Sequence, residues 1–92
     1  MAEERIEGVV TDSNQEPLPG VVLILQKDGD EHKKEEVSRA DGSFVFTRLT
    51  PGGYILQAQM SGFTTEERKI QLGLNEVLRI DVVLQVSQTR EN

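Results

Sequence analysis

The 92-residue chain has no cysteine, no tryptophan and a single histidine. Without cysteine there can be neither disulfides nor thiolate metal sites. That absence leaves the cellular compartment open, because exported bacterial domains often fold without disulfides. His32 is the only imidazole available to a catalytic triad, a histidine-based zinc site or a general-base pair. It sits in "DGDEHKKEE", the most polar run of the chain, and reads as an exposed loop residue. Aromatics make up only 4% of the residues, which is little for a surface that would stack on sugar rings. No segment has the apolar length of a membrane-spanning helix. Positive charge is also scarce: Lys+Arg 10 against Asp+Glu 16 leaves a net charge of −6. The one basic pair, Lys33-Lys34, is flanked by Glu31, Glu35 and Glu36, so phosphate backbones and anionic membranes are not expected partners.

What remains is the composition of a small folded domain, with 36% hydrophobic and 28% charged residues. At this length the chain forms one domain with one modest core and a stability of about 5–10 kcal/mol. The start, Met1 to Arg5, has no apolar stretch of the signal-peptide kind. It reads as a start placed after a removed leader or inside a longer chain.

Alternation of apolar and polar residues is the dominant pattern. It predicts strands over Ile6–Thr11, Val21–Lys27, Glu35–Arg39, Ser43–Thr47, Tyr54–Met60, Glu67–Leu72 and Val77–Val86. The breaks between them are rich in turn formers: "TDSNQEPLPG", Asp28-Gly29, Asp41-Gly42, "TPGG", Ser61-Gly62 and Gly73 to Asn75. Seven short strands with regular turns and no helical period predict a seven-stranded antiparallel Greek-key β-sandwich. The domain core spans residues 5–86, with 87–92 as an untethered tail. Phe44, Phe46, Leu23, Leu56, Ile80 and Val82 are expected to meet between the sheets. Phe44, Phe46, Tyr54 and Phe63 are read as core packing; of these only Tyr54, with a hydroxyl to satisfy, is a candidate for a place near the surface.

Two acidic runs invite comparison with calcium loops. In Asp12-x-Asn14-x-Glu16 the position that needs glycine is Pro17 and the twelfth position is Leu23. In Asp28-x-Asp30-x-His32 the glycine position is Lys33. Both are read as side chains capping turns, so no metal, cofactor or catalytic residue is assigned. On strand Val21–Lys27, Val22 and Ile24 face away from the core, where water usually calls for polar residues. Together with Val45 and Ile55 they form a candidate docking patch.

The stretches "GVVTDSNQEPLPGVVLIL", "SRADGSFVFTRLTPGGYILQAQMSGF" and "VLRIDVVLQ", in this order, resemble the carboxypeptidase regulatory-like domain family. Ile6 to Gln85 is covered, through G-x-V-x-D, P-L-P-G, D-G-x-F-x-F, L-x-P-G-x-Y and G-F, with Gly53 as an extra residue before Tyr54. The resemblance implies a prealbumin-like, transthyretin-like sandwich that serves as a noncatalytic accessory module. Such modules are attached to metallocarboxypeptidases, to secreted or surface enzymes, and to the N-termini of TonB-dependent outer-membrane receptors. The ending "VVLQVSQTREN" resembles the exit towards a receptor plug. The implied setting is therefore exported, periplasmic, outer-membrane or extracellular, with the remainder of a parent chain as partner. A polysaccharide is the alternative partner, since starch-binding-like modules share the fold. A related family, the collagen-adhesin B-type domains, forms Lys–Asn crosslinks between first and last strands. Here Arg5 stands near the first strand and Asn75 precedes the last, so no crosslink is expected.

Overall fold

The computed structural model describes residues 4–87. Eight strands form two sheets. They are β1 (Glu4–Asp12), β2 (Val22–Lys27), β3 (Lys33–Val37), β4 (Ser43–Leu49), β5 (Gly52–Gln59), β6 (Glu66–Leu72), β7 (Val77–Arg79) and β8 (Val82–Leu84). One sheet has the order β3-β2-β5-β6 and is antiparallel throughout. In the other, β4 pairs antiparallel with one edge of β1, while β7 and β8 share its opposite edge. Both of those pairings are parallel.

The seven-strand, wholly antiparallel expectation is corrected at this point. The predicted last strand, Val77–Val86, is two short strands because the chain steps at Ile80 and Asp81. The cause lies on β1. Ile80 N–H donates to the Glu7 carbonyl at 2.8 Å, and Asp81 Oδ1 accepts from Val9 N–H at 3.1 Å. Between these two bonds the Ile80 carbonyl lies directly over Gly8, where a β-carbon would land on that oxygen. Only a residue without a side chain lets the two backbones approach so closely.

Alternation decides what is buried. Ile6 and Val10 of β1, Leu23 and Leu25 of β2, Phe44 and Phe46 of β4, Leu56 and Ala58 of β5, Ile70 and Leu72 of β6, and Val82 and Leu84 of β8 close the core. The Phe44 and Phe46 rings meet edge to face, 6.2 Å apart at 66°. Five of the six expected core contacts are fully buried. Ile80 is only partly so, packed at the core's margin by the step that splits its strand. Val86, at the end of the predicted last strand, is 61% exposed.

Polar side chains seal the ends of the sandwich. Ser38, itself buried, donates through Oγ to the Leu18 carbonyl at 2.7 Å and accepts from Val21 N–H at 2.8 Å. It thereby satisfies two backbone groups where proline has interrupted the ladder. Tyr54 is buried, in line with its reading as a core residue. Its hydroxyl donates to the Thr50 carbonyl at 2.6 Å and accepts from Thr50 N–H at 3.1 Å, which locks the β4–β5 turn. Beyond β8, Thr64 N–H donates to the Gln85 carbonyl at 2.8 Å and Ser87 N–H to the Gly62 carbonyl at 2.9 Å. Ser87 is thus tied down, contrary to its assignment to a free tail; 88–92 lie outside the described residues.

Two outcomes test this packing. Phe46→Ala should lose about 3–5 kcal/mol, most of the domain's stability; a melting temperature within a few degrees of wild type would contradict the inward facing of β4. Gly8→Ala should also melt well below wild type, because the new methyl must displace the Ile80 carbonyl. Protection of the Ile80 and Asp81 amides in hydrogen exchange should fall with it.

Candidate functional site

His32 is exposed in the β2–β3 loop, as expected, with Nδ1 3.0 Å from Asp30 Oδ1. Asp30 Oδ1 also accepts from the His32 backbone N–H at 3.0 Å, which makes the pair a turn cap. Asp12 behaves the same way, its Oδ1 accepting from Asn14 N–H at 2.8 Å and Glu16 N–H at 3.0 Å. Among the described residues no group of three or more His, Asp or Glu side chains is arranged to hold a metal ion. The aromatic rings are committed to packing as well: Phe44, Phe46 and Tyr54 are buried and Phe63 lies half-buried against the core.

The four candidate docking residues do not form one patch. Val22 and Ile24 on β2 and Ile55 on β5 share the outer face of the β3-β2-β5-β6 sheet. Val45 lies on β4, opposite Glu7 of β1, in the other sheet. An alternation pattern tells inside from outside, but it cannot tell which of two outsides. In place of Val45 the sheet supplies Val37, directly across from Val22 and 51% exposed. The resulting strip runs through Val37, Val22, Ile24 and Ile55. Glu35 and Gln57 flank Ile24, and Gln26 and Lys69 flank Ile55.

The opposite outer face is dominated by charge pairs. Arg5 lies 3.1 Å from Glu7, and Arg79 lies 3.2 Å from Asp81. Arg5 is therefore a surface ion-pair partner. The lysines of the chain are also placed away from the core: Lys33, Lys34 and Lys69 are exposed and Lys27 is half-buried. Asn75 occupies a left-handed turn (φ 59°), where its backbone N–H donates to Glu4 Oε2 at 2.7 Å. The lysine–asparagine geometry of an internal crosslink is absent among the described residues.

A third feature escaped the sequence pattern. At one end of the sandwich, the β4–β5 turn and the β2–β3 loop enclose a cleft of about 140 Å³. Leu25, Leu49 and Tyr54 close its floor, while Lys27, Lys34, Arg48, His32, Asp30 and Thr50 form its wall. Lys34 Nζ crosses from β3 to the other sheet and donates to the Thr47 and Arg48 carbonyls at 2.9 and 3.0 Å. Lys27 Nζ donates to Thr50 Oγ1 at 2.6 Å. Arg48, held between these two anchors, adopts φ 59°, a left-handed conformation that costs a non-glycine residue about 1 kcal/mol or more. The local text "FTRLTPGGY" announces the turn but nothing about the lysines that reach it from 14 to 23 residues away.

Asp30 gives this loop a pH signature. The hydrogen bond from the His32 backbone N–H, then the contact with the His32 side chain, hold its carboxyl below the ordinary aspartate value of 3.8. A depressed folded-state value means the stabilisation is present above pH 3.8 and disappears as pH falls through the lower value. In an NMR titration the Asp30 carboxyl should show a midpoint below 3.8. Asp30→Asn should melt slightly below wild type at neutral pH and show a flatter acid limb, the two proteins converging once the Asp30 carboxyl is protonated. An Asp30 midpoint at or above the ordinary value would contradict the cap.

Comparison with known proteins places this geometry. The Bacillus anthracis TIE protein superposes with a TM-score of 0.77 at 15% identity, over 92% of this chain and 17% of that one. A streptococcal ancillary pilin gives 0.77 at 17% identity, over 94% of this chain and 33% of that one. The chain thus spans a third or less of the length of these two neighbours. The Klebsiella pneumoniae 5-hydroxyisourate hydrolase gives 0.71 at 19% identity, and there the match covers 91% of this chain and 92% of the enzyme. At these identities the likeness shows the fold alone, and the fold carries both structural and catalytic proteins. A search of curated protein sequences finds no match. The sequence profile of the carboxypeptidase regulatory-like domain matches residues 5–85. With nearly the whole sandwich inside that match, from Arg5 on β1 to Gln85 beyond β8, the chain belongs to the carboxypeptidase regulatory-like domain family.

Proposed function

We propose that this domain is a noncatalytic structural and docking module of a larger exported protein, and that it packs against the remainder of its parent chain. The observation that carries the reading is the apolar strip Val37, Val22, Ile24 and Ile55 on the outer face of the β3-β2-β5-β6 sheet. An outer sheet face normally alternates to polar residues. Here consecutive strands bring β-branched side chains side by side, so a partner that covers them gains hydrophobic burial at about 25 cal/mol per Å². Glu35, Gln57 and Lys69 around the strip suit a polar rim. Family membership supports the module role. So does the small share of the TIE protein and of the ancillary pilin that this fold occupies. The pilin likeness also supports an exported setting, of which a TonB-dependent receptor is one form.

Val22→Thr combined with Ile24→Thr keeps β-branched shape and removes apolar contact. The double variant should melt within a few degrees of wild type, yet bind the separately expressed remainder of the parent at least about tenfold more weakly. Collapse of the fold would show that the strip is covered within the domain itself. Unchanged melting and unchanged affinity would remove the strip from any docking role.

A further inference from the structure

We infer that the cleft between the β2–β3 loop and the β4–β5 turn binds a small organic carboxylate with an apolar body. Lys27, Lys34 and Arg48 would hold the anion, and Leu25, Leu49 and Tyr54 would receive the body. The first argument is charge. In a chain of net charge −6, Arg5, Arg68 and Arg79 are each paired with a carboxylate. Among the described residues, Lys27, Lys33, Lys34, Arg39, Arg48 and Lys69 have no such pair, and three of these six, Lys27, Lys34 and Arg48, line one cleft. Asp30, the acidic residue on the wall, is engaged by His32. Three cations against the single carboxylate of Asp30 leave the cleft net positive, and a bound anion offsets that excess.

The second argument is preorganisation. Free lysines are mobile, and ordering one on binding costs side-chain entropy. Here both ammonium groups are already anchored, and on neutral acceptors: Thr50 Oγ1 for Lys27, the Thr47 and Arg48 carbonyls for Lys34. These bonds fix position without cancelling charge. An ammonium has three donors, so Lys27 keeps two and Lys34 one for a ligand. The Tyr54 hydroxyl locks Thr50 from beneath through both its backbone groups. A clasp between the sheets explains the two lysine bonds, and the bulge that β4 makes against β1 between Glu4 and Ile6 explains the left-handed backbone of Arg48, but neither requires a third cation at the cleft.

The third argument is shape. The cleft offers about 140 Å³ over an apolar floor, room for one small ring or short aliphatic chain and too little for a polymer.

Three probes separate the contributions: benzoate, its neutral isostere benzamide, and acetate, which keeps the charge and loses the body. Titrated into the ¹⁵N-labelled 92-residue chain at low salt, benzoate should shift the amides of Lys27, Lys34 and Thr47 to Tyr54, with a dissociation constant on the order of 1 mM. Benzamide and acetate should each bind at least about fivefold more weakly. Arg48→Asn suits the left-handed backbone and should fold with unchanged melting while weakening benzoate at least about tenfold. Lys69→Gln, which removes the same charge on the outer sheet face, should bind benzoate like wild type. The assignment is overturned if benzamide or acetate matches benzoate, if Arg48→Asn binds as wild type does, if Lys69→Gln weakens binding equally, or if the shifts fall outside the cleft.

Discussion

Everything in this domain depends on keeping one thin layer of apolar side chains dry between two four-stranded sheets. With no cysteine in the chain, no disulfide shares that task. The layer is only as good as its ends, where backbone groups leave the ladders. Ser38, Tyr54 and Glu4 act there, each accepting from a backbone N–H that the ladder no longer serves. Ser38 and Tyr54 also donate to a carbonyl. An unsatisfied group at any of these positions would cost about as much as a lost core methyl. A small core therefore obliges the sequence to spend polar residues inside it.

The inward half of the fold was legible because alternation is a local property. Phe44 and Phe46, Leu23, Leu56 and Val82 are two residues from similar neighbours, and the strands that carry them are half-buried. Errors came where a distant residue decided. Val77–Val86 reads as one strand, and only Gly8 at the other end of the chain forces the step at Ile80. Parallel pairing of β7 and β8 with β1 leaves no mark on either segment. The apolar alternation put Tyr54 in the core, but that its hydroxyl would be satisfied inside the fold by Thr50, four residues earlier, could not be read from it. Strand β3 starts at Lys33, two residues before the sequence pattern suggests, because pairing with Gln26 and Leu25 overrides low strand propensity.

The same limit governed the surface. Val22, Ile24, Ile55 and Val45 all read as outward, and all are. Two sheets, however, have two outer faces, and assigning Val45 needed the strand order. Its replacement, Val37, was hidden in a segment whose acidic neighbours made it look uniformly polar. Fold membership does not repair this, because the same sandwich serves a pilin and a hydrolase. What distinguishes one member from another is which side chains its strand order gathers at each edge.

Lys33 and Lys34 show how far one residue of register can divide roles. Lys33 pairs across from Gln26 and takes the outer face, where with Ile24 and Ile55 it borders the apolar strip. Lys34 pairs across from Leu25 and turns inward, reaching past the open edge of the sandwich to the carbonyls of β4. A slip of one residue in β3 that set Lys34 across from Gln26 would set Glu35 across from Leu25, putting an anion where the clasp lysine now stands. The β2–β3 loop therefore does more than join two strands. Its Asp30–His32 cap and the turn at Gly29 (φ 79°) set the length of the hairpin. That length decides which lysine meets the β4–β5 turn. The strip and the cleft are thus separate surfaces, but both depend on the register that one exposed loop imposes on one edge strand.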